Sequence, residues 1–63
     1  MVFRDYIKSL PNQREETIKK IAQITFTDVS TVYKWINGSV EPPILKKNIV
    51  ANLLNKTVEE LWP

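Results

Sequence analysis

A chain of 63 residues has room for one modest core, and domains of this size are marginal without staples or partners. It contains no cysteine and no histidine, which excludes a disulfide framework and a thiolate metal site and removes the commonest general base and metal ligand. Nine basic against seven acidic residues leave a formal charge of +2 and a pI near 9.1, a weak electrostatic case for nucleic acid when taken alone.

Phe3, Tyr6, Ile7 and Leu10 follow the three-four-three rhythm of a short first helix, ended by Pro11. Arg4, Asp5 and Lys8 interrupt its apolar residues, so Met1 to Leu10 holds no signal-peptide core. Nowhere do about 18 apolar residues run together as a membrane span requires, and the expected location is the cytoplasm.

A second helix follows, with Asn12 and Glu15 spaced as a capping box, or with Glu15 and Glu16 simply favouring its positive end. Ile18, Ile21, Ala22 and Thr25 fall on one face of it. Ala22 is small, as needed where two steeply crossing helices approach closely.

The third helix is expected from about Asp28 to Asn37. Val32, Trp35 and Ile36 share one flank, while Ser30, Lys34 and Asn37 gather on a different side, and Gly38 supplies a left-handed stop. Ser39 to Pro43 reads as extended, because each proline disfavours helix before it. A fourth helix starts near Pro43 or Ile44, with Leu45, Ile49, Val50, Leu53 and Leu54 as a wide apolar stripe and Asn55 as a left-handed cap. The last helix opens with Thr57, Val58, Glu59 and Glu60, a capping-box pattern, and carries Leu61 and Trp62.

The carboxylates at Asp5, Glu15, Glu16, Asp28, Glu41, Glu59 and Glu60 are spread over several segments. No nucleophile, base and orienting group assemble from this inventory, so we expect neither an enzyme nor a cofactor. Lys19, Lys20, Lys34, Lys46 and Lys47 suggest a basic stripe, although lysines on outer helix faces also serve plain solubility.

Two short helices around a tight polar turn, with Ile21 and Ala22 in the first, Val32 and Trp35 in the second and Asn37-Gly38 at the stop, resemble the phage-repressor-like helix-turn-helix superfamily of lambda repressor, Cro and XRE-type regulators. Downstream, Val50 to Leu61 looks like the family's closing pattern of core helix, turn and short last helix, so the resemblance covers most of the chain. It implies an all-α, compact five-helix lambda-repressor-like domain spanning 1–63, with the helix-turn-helix formed by helices 2 and 3. The implied function is sequence-specific binding of double-stranded DNA by a small prokaryotic or phage-type transcriptional regulator.

By the same resemblance Thr27, Asp28, Val29, Ser30 and Lys34 stand where such helices reach bases, and Thr17, Thr31, Asn37 and Ser39 where they meet phosphates. Lys34 is the foremost base contact, since an ammonium donates to guanine O6 and N7. Tyr33 lies either against sugar and phosphate or half-buried as support for the core. Val29 meets a thymine methyl or joins the core, and Asp28 either caps the helix or repels a phosphate. The family often pairs through its last helices, which implies a homodimer on DNA through Val58, Leu61 and Trp62, unless Trp62 folds back onto Phe3 or Tyr6.

Phe26 departs from the pattern, for the family's turn usually carries Gly at this place, where φ is positive. Either the turn is strained, or it is one residue longer with Phe26 buried beneath it; we favour the second, which would make Thr27 rather than Asp28 the N-cap. A protein-interaction module of antitoxin or phage accessory type, or a purely structural bundle, would use the same fold without reading DNA.

Overall fold

The computed structural model describes residues 2–63 and is all-helical among them. Five helices follow one another: α1 Phe3–Lys8, α2 Arg14–Ile24, α3 Val29–Asn37, α4 Ile44–Leu54 and α5 Val58–Leu61. Each apolar stripe read from the sequence turns inward from α1 to α3. Ile18, Ile21 and Ala22 of α2 and Val32, Trp35 and Ile36 of α3 join Phe3, Ile7, Val50, Ala51 and Leu61 in one core. The helix α3 packs on α2 and α1, α5 rests on α1 and α4, and α4 also reaches α2.

Three helices end in the same way. After α2, α3 and α4 the chain turns through a left-handed residue, Phe26 at φ 54°, Gly38 at 82° and Asn55 at 57°. In each case the next amide donates back to a carbonyl in the last turn: Thr27 to Ala22 at 2.9 Å, Ser39 to Lys34 at 3.0 Å and Lys56 to Ala51 at 2.9 Å. This closure satisfies carbonyls the helix end would otherwise leave free, and it favours Gly first and Asn second. Gly38 and Asn55 therefore match their places. Phe26 does not.

The buried Phe26 expected from the sequence is wrong: the ring is 95% exposed and the backbone is left-handed. The turn keeps its short form because it is closed from within. Buried Thr25 donates its hydroxyl to the Ile21 carbonyl at 2.6 Å, Thr27 donates its own to the Thr25 carbonyl at 3.0 Å, and Asp28 rather than Thr27 becomes the N-cap position of α3. The helix end thus overrides the residue's preference. Phe26→Gly should relieve a left-handed strain of about 1 to 2 kcal/mol, offset in part by glycine's larger unfolded-state freedom, and raise the melting temperature by a few degrees. Phe26→Ala should melt near the parent, since the ring covers nothing; a clear loss would place the ring in the core.

Two other readings change. Asn12 makes no cap, because Gln13 holds the N-cap position of α2 without a side-chain bond, and Glu15 and Glu16 act only as acidic residues in its first turn. In α4, Val50 is buried and Leu53 and Leu54 pack on the core, but Leu45 and Ile49 face outward. Apolar residues surround that helix, so periodicity could not choose its inner face.

The capping box of α5 forms as read. Glu60 N–H donates to the Thr57 hydroxyl, and the Glu60 carboxylate accepts from the Thr57 amide at 3.0 Å and hydroxyl at 3.1 Å. These bonds from Thr57, backbone first and then side chain, hold the Glu60 carboxyl below its ordinary 4.5. A folded value below the unfolded one stabilises α5 above pH 4.5, and the contribution disappears as pH falls through the lowered value. Acid titration followed by Trp62 fluorescence should contain a step that Glu60→Gln removes.

Candidate nucleic-acid interface

The side of α3 opposite the core carries Ser30, Tyr33, Lys34 and Asn37, all exposed. Their spacing puts them together because residues three, four and seven apart share a helix face, while Val32, Trp35 and Ile36 anchor the other side. Trp35 is 4% exposed, as its reading as core requires. A backing of this kind holds the helix itself in place beneath the exposed side chains. Tyr33 belongs to the open surface rather than to a half-buried support.

The remaining candidates distribute around this face. Val29 opens α3 and is exposed, so it is not a core residue. Asp28 is exposed and accepts no cap hydrogen bond, which leaves an acid at the positive end of α3. Thr31 is half-buried on the flank of α3, Thr17 is half-buried in the first half of α2, and Ser39 is exposed just beyond Gly38. Thr27 is half-buried and already hydrogen-bonded within the chain.

Lys46 is the residue the sequence alone could not place. Its ammonium donates to Thr27 Oγ1 at 3.0 Å and stands 5.9 Å from the centre of the Trp35 ring, so α4 delivers a cation to the start of α3. The link spans 19 positions and leaves no local signal. Lys47, its neighbour, lies elsewhere: it pairs with Glu41 and stands 5.7 Å over the Trp62 ring. Adjacent helical residues point about 100° apart, so Lys46 and Lys47 never lined one stripe.

Compared with protein-family models, curated proteins and solved structures, the chain matches none. The chemistry of the face itself therefore carries the functional reading. It offers hydroxyls from Ser30 and Tyr33, an ammonium from Lys34 and an amide from Asn37, a set that can donate and accept hydrogen bonds from one helix face. Among the described residues there is no cluster of three or more His, Cys, Asp or Glu side chains suited to a metal ion, and no helix is long and apolar enough to cross a membrane.

The C-terminal residues assigned to a dimer contact are largely occupied at home. Leu61 is buried in the core, and Trp62 packs on Phe3 with ring centroids 5.0 Å apart and planes tilted by 32°. Val58 is half-buried against the core. Trp62 folding back onto the first helix is the arrangement observed.

Proposed function

We propose that α2 and α3 form a helix-turn-helix of the phage-repressor-like class and that the domain binds double-stranded DNA sequence-specifically, as a small prokaryotic or phage-type transcriptional regulator. The observation that carries this reading is the exposed polar face of α3, with Ser30, Tyr33, Lys34 and Asn37 backed by buried Val32, Trp35 and Ile36. A helix of about three turns fits the major groove, where base edges present distinct donors, acceptors and methyl groups. Lys34 reads guanine, Ser30 and Val29 reach neighbouring bases, and Thr17, Thr31, Asn37 and Ser39 set the register on phosphates. Lys46 adds positive charge beside Thr27. Asp28 disfavours a phosphate at its own position and thereby restricts the register.

Selection of bound sequences from a random duplex pool tests the proposal. A preferred site should emerge, with affinity falling as salt rises and with a shallow slope, because few cations meet phosphates. No binding at low salt, to selected or random duplex, would overturn it. That result would favour a protein-interaction module, the reading to which exposed Phe26 and the exposed apolar residues of α4 lend weight. One recognition helix touches only a few base pairs, so the working form on DNA holds two copies on half-sites about one helical turn apart.

A further inference from the structure

We propose that Lys46 is a positioning residue for α3: its ammonium, delivered from α4, fixes the start of that helix by holding Thr27 on one side and Trp35 on the other. The consequence for recognition rests on the DNA reading above, whereas the hold itself belongs to the free protein. Lys46 Nζ donates to Thr27 Oγ1 at 3.0 Å and lies 5.9 Å from the centre of the Trp35 ring. Thr27 immediately precedes the N-cap position of α3, and Trp35 stands about two turns further along. Helical side chains lean toward the N-terminus, so one cation can reach both.

The start of α3 lacks its usual fastening. Asp28 holds the N-cap position without a side-chain hydrogen bond, and the helix bodies that pack on α3 are α2 and α1, whereas α4 packs on α2 and α5. The Lys46 bond supplies a side-chain tie one residue earlier. Thr27 is suited to receive it, because its amide donates to the Ala22 carbonyl at 2.9 Å and its hydroxyl to the Thr25 carbonyl at 3.0 Å, which leaves Oγ1 to accept. A hydroxyl has one proton, and here it is not free for a base edge. Thr27 therefore supports the reading helix rather than reading.

The setting of Lys46 differs from that of an ordinary solvated lysine. Lys8, Lys19, Lys20 and Lys34 are exposed, but Lys46 is half-buried and gives up side-chain freedom to stay where it is. Among the described residues Lys47 has a carboxylate partner in Glu41, and Lys46 has none. Its restraint yields orientation. Base contacts need defined lengths and angles from several side chains of one helix at once, so a small tilt of α3 weakens them together, while phosphate contacts carry no sequence information to lose.

The test compares Lys46→Met, which keeps the stem beside Trp35 and removes the ammonium, with Thr27→Val, which removes the acceptor, and with the two combined. Lys46→Arg and Thr27→Ser keep donor and hydroxyl, and circular dichroism and melting temperature serve as folding controls. In the free protein, Lys46→Met and Thr27→Val should each speed hydrogen exchange several-fold at the Thr31 and Val32 amides, which close the first turn of α3 onto the Asp28 carbonyl, and leave α4 unchanged. On the duplex selected by the parent each should bind on the order of tenfold more weakly, with a smaller loss on random duplex and an unaltered salt slope. The double variant should lose no more than either single one, and Lys46→Arg and Thr27→Ser should bind close to the parent. Unchanged exchange at Thr31 and Val32 in Lys46→Met would overturn the proposal, as would losses that add in the double variant. A salt slope lower by about 1 in Lys46→Met, with Thr27→Val binding like the parent, would also overturn it and make Lys46 a plain phosphate contact. If the parent bound no duplex, the function proposed above would fail and the exchange rates alone would decide the hold.

Discussion

Replacing Trp35 by alanine should leave the domain largely unfolded at ambient temperature. The ring is 4% exposed at the centre of the face that fastens α3 to the core, and it also carries the Lys46 ammonium. Removing a buried Trp side chain costs about 3 to 5 kcal/mol from lost transfer energy and the cavity left behind. At about 0.05 to 0.15 kcal/mol per residue, a chain of this length holds roughly 3 to 9 kcal/mol in total. Most of the folded population is then at risk. A thermal melt by circular dichroism checks this: a midpoint within a few degrees of the parent would mean that α3 is held by something other than Trp35.

Lys34→Ala should fold like the parent and lose about 1 to 3 kcal/mol on its selected DNA site, roughly a 5- to 150-fold weakening, with a much smaller loss on random duplex. Lys34 is exposed and sits in the last turn of α3, where its charge gives the helix end only about 0.3 to 1 kcal/mol. Binding and folding are thus separable at this position. Anisotropy titrations on both duplexes at two salt concentrations decide the role. An equal loss on the two would assign Lys34 to a phosphate, and no loss on either would remove α3 from the groove.

Helix positions were legible because their signals are local. Gly38, Asn55 and the Thr57–Glu60 box each sit where a short stretch of chain settles its own ends, and the face of α3 follows from angular spacing alone. Phe26 was misread for an instructive reason. Its preference against positive φ amounts to a kcal/mol or two, less than the combined hold of the Thr25 and Thr27 hydrogen bonds and the closure onto Ala22. The outward Leu45 and Ile49 escaped notice because α4 is apolar on both sides, and the Lys46 link to Thr27 because it depends on how two distant elements meet.

The stacking of Trp62 on Phe3 joins the two ends of the described chain into a ring. Closing a loop of nearly 60 residues is entropically the dearest contact the chain can make, although the penalty grows only as the logarithm of length. The first and last helices are therefore expected to dock after the α2–α3 pair, whose partners are close in sequence. Any cut or extension near Trp62 loosens residues at the opposite end of the polypeptide, while the face of α3 lies in the segment best insulated from such fraying.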